Sequence, residues 1–380
     1  DTEDIIRDCS TFRTKNRLPA LTYVNSNKCK GSLWRSSQPK SGITNNRNKN
    51  DEKVLRSIRS ISGSLIIYDA RPYLNAQANR VKGGGTEIVQ NYDSVKLIFC
   101  EIDNIHGVSD SYLKLFQMNK NEDNLKYYSQ LESTGWFEFT HKLLKYSKEI
   151  VKLFSNDTAV LIHCSDGWDR SSQLLAISQL LMDPYFRKGV GFCKLIEKEF
   201  VSFGHQFGLR SGIKTSQQEE DQKSPVFVQF LDCVFQLLHQ FPEAFEFNES
   251  LLLFIAEHFH SLIYGTFVFN SECHRKDNKA HIISRSIWSD VFDINSDYSE
   301  LFQNEKQILK PQYYNQLYNP YKYMNEPSSK YSFKKDKEIL FPDHSVRALV
   351  VWEKYFYVPS TITDKILKGQ YFAELMEVPG

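Results

Sequence analysis

This chain has no CxxC pair, and its seven cysteines (Cys9, Cys29, Cys100, Cys164, Cys193, Cys233 and Cys273) are odd in number and widely spaced. That excludes a disulfide framework and a zinc-ribbon site, and suits a reducing, cytoplasmic compartment. Net charge is also lacking. The formal value is +1, so no global field points to nucleic acid. The longest apolar run, "SLLLFIAEHFHSLIYGTFVF" (250–269), carries Glu257, His258 and His260. Three polar groups are costly in a stretch of membrane-spanning length, so it reads as a buried helix leading into an extended segment. No internal repeat and no linker appear, so the expected organisation is one domain over 1–380. The chain starts at Asp1 without Met or an apolar leader, and reads as part of a longer protein.

Hydrophobic residues make up 41% of the 380 positions, enough for a large core. Charge is uneven. Residues 1–60 hold 13 Lys/Arg against 6 Asp/Glu, which is +7 and leaves −6 for the rest. A basic N-terminal arm of this kind suits an anionic partner such as a membrane surface; a solvated surface segment is the plainer reading.

Three apolar runs read as buried strands: "GSLIIYDAR" (63–71), "VKLIFCEID" (95–103) and "TAVLIHC" (158–164). Helical spacing marks 137–153, 172–182, 192–207, 226–240 and 251–263. Strands alternating with helices predict an α/β domain with a central sheet flanked by helices and a helix-rich C-terminal half. The Tyr- and Asn-rich 310–338 predicts a surface excursion, and 345–358 a last helix packing back on the core.

The stretch "VLIHCSDGWDRSSQLL" (160–175) joins a strand to a helix through one thiol and one arginine. Backbone N–H groups where a helix begins, with the helix dipole behind them, hold anions. Arg170 adds a planar fork for two phosphate oxygens. The same field favours a thiolate on Cys164. A Cys-x5-Arg loop therefore combines nucleophile, phosphate cradle and charge clamp, as phosphoryl transfer to sulfur requires. Such chemistry also needs an acid for the leaving oxygen, and both Asp166 and Asp169 lie inside the loop. His163, at the strand end, reads as a hydrogen-bonded core histidine able to tune the loop.

The string "HCSDGWDR" (163–170) resembles the signature of the myotubularin phosphoinositide phosphatases, with Ser171 where the family carries Thr. "FRTKNRLPALTYVN" (12–25), "WRSSQP" (34–39), "DARPYLNAQANRVKGGG" (69–85), "EIDNIH" (101–106), "LESTGWFE" (131–138), "EKEFVSFGHQFGLR" (197–210), "SPVFVQFLDCVFQLLHQFPEAFEFNE" (224–249) and "YGTFVFNSE" (264–272) are similar to further family blocks. No stretch resembles the family's usual N-terminal PH-GRAM domain. The resemblance implies a protein-tyrosine-phosphatase-like fold. It also implies removal of the 3-phosphate from phosphatidylinositol 3-phosphate and its 3,5-bisphosphate at a membrane surface, such as that of endosomes. No metal or cofactor is implied.

By the same resemblance Cys164 is the nucleophile, Arg170 the phosphate clamp and Asp169 the acid. Ser165, Asp166, Gly167 and Trp168 shape the pocket, and Asn79 and Asn104 line the headgroup site. Gln206 stands where the family commonly has Arg, while the second such Arg survives as Arg210. The two are expected on one helix face near the 5-phosphate. With Cys164, Asp169 and Arg170 all present, the implied state is active. A phosphotyrosine phosphatase and a phosphoinositide-binding scaffold without turnover are the competing readings.

Overall fold

The computed structural model describes residues 2–25, 29–92, 94–118, 126–212, 221–292, 308–323 and 338–357. Helices α1 (Thr2–Phe12), α2 (Lys49–Ser62) and α3 (Tyr73–Val81) alternate with strands β1 (Ala20–Val24), β2 (Ser32–Ser37), β3 (Ser64–Asp69) and β4 (Val95–Phe99). Then come α4 (Ile105–Met118), α5 (Tyr127–Thr134), α6 (Trp136–Ser155), β5 (Thr158–Cys164), α7 (Arg170–Met182), α8 (Gly189–Ile196), α9 (Phe207–Ser211), α10 (Val226–Gln240) and α11 (Glu249–His258). The chain falls into two compact units, Asp1–Asn104 with Lys142–Gln179, and Ile105–His141 with Leu180–Gly380.

The first unit holds a mixed sheet in the order β1-β2-β5-β3-β4. Only β1 pairs antiparallel; β2, β5, β3 and β4 run parallel. The middle strand β5 is buried along all seven residues, the near-continuous apolar run of a strand covered on both faces. Leu55 and Ile58 of α2 pack on Leu65, Ile67, Ala159 and Leu161. Tyr68 points the other way, to Tyr146 of α6 at 6.1 Å between ring centroids. Alternation along β3 thus places a helix on each side. Helix α2 starts at Asn48, whose side chain accepts from Asp51 N at 2.8 Å, and ends at Gly63 in the left-handed region.

The second unit is helical and aromatic. Phe192 stacks on Phe247 at 4.4 Å, Phe200 lies tilted against Phe230 at 4.8 Å, and Phe207 sits edge-on to Phe227 at 5.1 Å. No helix among the described residues is long and apolar enough to cross a membrane.

Three expectations need correction. Residues 1–60 are not an arm: they supply α1, β1, β2 and most of α2, and Arg13 and Arg35 are buried. Arg13 is neutralised by Asp51 and Glu87, partners that a charge count cannot see. The helix expected over 192–207 breaks: α8 gives way to a π-helical turn at Glu197–Ser202, and Gly204 turns the chain left-handed. The described part of the stretch 345–358, which ends at 357, forms only short turns, Val346–Ala348 and Glu353–Phe356, yet it buries Trp352 and Phe356 as expected. As expected, 310–323 lies mostly exposed at the surface, where Asn315 ties it down by donating to the carbonyls of Pro242 and Phe245; 324–337 lie outside the described residues.

Candidate active site

Strand β5 ends at Cys164 and α7 begins at Arg170, so Ser165, Asp166, Gly167, Trp168 and Asp169 form the connection. It lies at the C-terminal ends of the parallel strands, where open α/β sheets place their ligand crevices. Gly167 is required there. Its φ is +79°, and a Cβ would meet Ser36 O at 2.4 Å. Its N–H donates to Cys164 Sγ at 3.3 Å.

The neighbouring strand braces the loop. Arg35 Nη2 donates to Gly167 O at 2.6 Å and Ser172 Oγ at 2.8 Å, and Ser172 Oγ donates to Trp168 O at 3.0 Å. Gln38 N donates to Ser165 O at 3.1 Å. Arg17 lies 5.6 Å over the Trp168 ring and also reaches Gly167 O, a cation–π contact at the rim. Arg170 Nη1 donates to Ile102 O at 3.1 Å, just beyond β4.

Electrostatics separates Cys164 from the other thiols. Burial pushes Cys9 up to about 12 and holds Cys100, Cys193 and Cys233 well above the ordinary range. Burial acts on Cys164 in the same direction, but the Arg170 charge and the adjacent hydroxyl and N–H of Ser171 outweigh it, and its pKa falls. Among these buried thiols it alone is shifted toward the thiolate, the nucleophilic form.

Behind the loop, His163 is fully buried with Nε2 at 2.9 Å from Glu87 Oε2. Glu87 Oε1 accepts from Arg13 Nη1 at 2.6 Å, and Arg13 pairs with both oxygens of Asp51 at 2.8 and 2.7 Å. Arg71 pairs with Asp69 and donates to Gln38 Oε1 and Gly85 O. Burial would lower the His163 pKa, but Glu87 and Asp69 outweigh it and raise the pKa, which favours the cationic ring.

The structure therefore brings Cys164 through Arg170 into one loop. Asn79 joins them, its Nδ2 donating to Ser165 Oγ at 3.4 Å. Asn104 lies two residues past the Ile102 carbonyl that takes Arg170. Asp169 is buried and Asp166 half-buried. Gln206 and Arg210 belong to the second unit. Gln206 precedes the short α9 in a non-helical conformation, correcting the shared helix face. Its Nε2 donates to the carbonyls of Gly204 and Asn270 at 3.2 and 2.9 Å. Arg210 Nη1 donates to Gln222 O at 3.0 Å.

Residue-by-residue reading missed Arg13, Arg17, Arg35, Gln38, Arg71 and Glu87. All but Glu87 sit inside strings quoted above, and Glu87 lies two residues past one. A cavity of about 580 Å³, lined among others by Arg80, Glu87 and Lys96, contains no loop residue. Among the described residues no group of three or more His, Cys, Asp or Glu could hold a metal ion.

A five-stranded α/β sheet with an activated thiol between strand and helix defines a cysteine-phosphatase type of architecture. The sequence model described as "Myotubularin-like phosphatase domain" matches residues 2–276. The chain belongs to that family. It is 38% identical over 316 residues to myotubularin of Xenopus tropicalis, covering 81% of this chain and 52% of that protein. It is 40% identical over 294 residues to the phosphatidylinositol-3,5-bisphosphate 3-phosphatase mtm-1 of Caenorhabditis elegans, covering 76% and 50%. It is 36% identical over 367 residues to phosphatidylinositol-3,5-bisphosphate 3-phosphatase MTMR2 of Pongo abelii, covering 93% and 51%. The chain spans about half the length of these curated relatives.

Proposed function

We propose that the chain is a phosphoinositide phosphatase that removes the 3-phosphate of phosphatidylinositol 3-phosphate, and less well of the 3,5-bisphosphate. It acts as a single domain over 1–380, peripherally on a cytoplasmic membrane face such as that of endosomes. The observation that carries this reading is the lowered pKa of Cys164 beside Arg170, against the raised pKa of the other buried thiols. The names of two relatives support the lipid class.

The Cys164 thiolate attacks phosphorus in line with the inositol oxygen. A sulfur–phosphorus bond forms as the phosphorus–oxygen bond breaks, and Asp169 gives its proton to the departing oxygen. Arg170 and the loop N–H groups hold the equatorial oxygens, where charge develops. Water then attacks the phosphocysteine, Asp169 takes its proton, and inorganic phosphate leaves with the thiolate restored. Ser165, Asp166, Gly167 and Trp168 shape the pocket, and Asn79 and Asn104 line its headgroup side. Gln206 and Arg210 read the distal edge of the headgroup.

Phosphate release from short-chain phosphatidylinositol 3-phosphate, measured beside a phosphopeptide panel, tests the substrate class. Turnover of the peptides alone would make the chain a protein phosphatase. Cys164→Ser is expected to abolish turnover and keep lipid binding; activity within tenfold of the parent would end the thiolate mechanism. Asp169→Asn is expected to slow lipid turnover by about 10²–10⁴-fold and an activated aryl phosphate far less, because a good leaving group needs no proton. Equal losses on both substrates would move the acid to Asp166.

A further inference from the structure

Helix α3 has three distinct faces. Ala76 is buried in the core. Asn79 points to Ser165 of the cysteine loop. Leu74, Ala78 and Val81, spaced i, i+4 and i+7, form an exposed stripe. The turn that follows β2 comes up against the end of this helix: Arg80 Nε donates to Gly42 O at 3.3 Å, and Arg80 also bonds to the Asn45 side chain. Ile43 lies between those two contacts. Leu74, Val81 and Ile43 are 77%, 76% and 71% exposed, and are the three most exposed large apolar side chains among the described residues of the first unit. Lys82 follows Val81 and is itself exposed; Lys40, ahead of the turn, is exposed too, its Nζ donating to Thr11 O at 2.9 Å. The acid facing this helix is Glu101, whose carboxylate caps it at Tyr73 N, at the opposite end from Lys82.

Three bare apolar side chains are not kept in water by any packing need, and two lysines flank them. An anionic bilayer meets both features at once: hydrocarbon for the apolar tips, and lipid phosphates for the cations. The same helix touches the cysteine loop through Asn79, on a face turned away from the Leu74–Val81 stripe, so the stripe is free to meet a bilayer without displacing that contact.

We propose that the Leu74–Val81 face of α3, with the Ile43 turn, is the surface by which this domain sits on an anionic bilayer. The proposal rests on the reading of the substrate as a membrane lipid. It places the membrane contact on a structured helix and its neighbouring turn rather than on the basic residues of 1–60 as a group, two of which are buried.

The test uses the full chain, with vesicles of phosphatidylcholine and phosphatidylserine lacking any phosphoinositide. Leu74→Glu/Val81→Glu is expected to weaken co-sedimentation at least tenfold. The milder Leu74→Ser/Val81→Ser should lose less, and Lys82→Gln should flatten the salt dependence. With substrate embedded in the vesicles, kcat/KM for the glutamate variant should fall at least tenfold, while short-chain soluble substrate is turned over within twofold of the parent. Parent-like vesicle binding by the glutamate variant would overturn the proposal and leave this face to a protein partner. Equal loss on the soluble substrate would also overturn it, because the helix would then be acting on the loop. Failure of the parent to hydrolyse any phosphoinositide would instead defeat the proposed function, while the substrate-free vesicles still decide the surface.

Discussion

In the unit that carries Cys164, the side chains of Arg13, Asp51, Glu87, His163, Asp69 and Arg71 are all buried, and each faces an opposite charge. In the other unit Asp232 is just as deeply buried, but its partners are neutral: the Trp136 indole N–H at 2.5 Å and the Gln236 amide at 2.9 Å. The protonation states diverge accordingly. Burial alone would raise the Glu87 pKa, yet His163 and Arg13 hold it well below the carboxylate range. Burial, only partly offset by the two hydrogen bonds, raises Asp232 to about 6. Buried charge survives where another charge answers it, and the six answered charges of the first unit lie directly behind the cysteine loop; in the second unit the buried Glu199 is likewise answered by Lys198. An aromatic core, such as the one around Phe192, Phe200 and Phe227, needs no such network.

The strongest way to break this comparison is to remove one partner on each side. Glu87→Gln leaves His163 with only Asp69, at 4.0 Å, and one face of Arg13 buried without its counter-charge. Breaking a buried pair in this way costs about 3–5 kcal/mol. Asp232→Asn removes a charge that has no ionic partner to strand, and is expected to cost under about 2 kcal/mol. Urea denaturation at pH 7 measures both. Equal losses would mean that the buried ion network has no special standing.

A pH series sharpens the same contrast. Asp232 has a folded pKa above its unfolded value, so its contribution is fully present below pH ~4 and is lost as pH rises through about 6. A rise of that size is worth about 3 kcal/mol. Glu87 has the opposite sign: its contribution is present above the unfolded carboxylate pKa of ~4.3 and is lost as pH falls below it. Amide hydrogen exchange, corrected for intrinsic rates, should therefore show α10 gaining protection as pH drops from 7 to 5. Strand β5 should lose protection only below about pH 4. The same sign of change in both elements would contradict the assignment.

This contrast also explains what is legible in the sequence. Strands β3, β4 and β5 are apolar runs, and α6, α7 and α10 have clear helical spacing, so each can be read to within a few residues. The cysteine loop is legible because its chemistry is contiguous from Cys164 to Arg170. Strands β1 and β2 are not, since "ALTYV" is only part-buried and β2 places Arg35 in mid-strand. Arg13 reads as surface charge because its partners lie 38 and 74 residues away. Arg35 and Gln38 support the loop only because β2 neighbours β5, and strand order is not written in any local pattern. The residues around 206 read as helix because apolar spacing continues through a backbone turn that Gly204 imposes.

The smallest expected effect lies at that turn, in the unit without the thiol. Gln206 is bound to two backbone carbonyls, and Arg210 to the Gln222 carbonyl and side chain. If these positions read the distal edge of the headgroup, Gln206 offers the 5-phosphate a neutral donor where the family commonly offers a charge. A charge-assisted hydrogen bond contributes roughly 1.5–3 kcal/mol, or about 10- to 100-fold in affinity. Gln206→Arg must give up the bonds to Gly204 and Asn270, which absorb part of that gain. The expected result is a rise of about 3- to 10-fold in kcat/KM for the 3,5-bisphosphate relative to the 3-phosphate. Turnover of the monophosphate should be nearly unchanged, because the Cys164 loop and its ion network are untouched. An unchanged ratio between the two lipids would show that position 206 does not read the 5-phosphate. A fall on both lipids would show that the two carbonyl hydrogen bonds shape this turn more than the missing charge does.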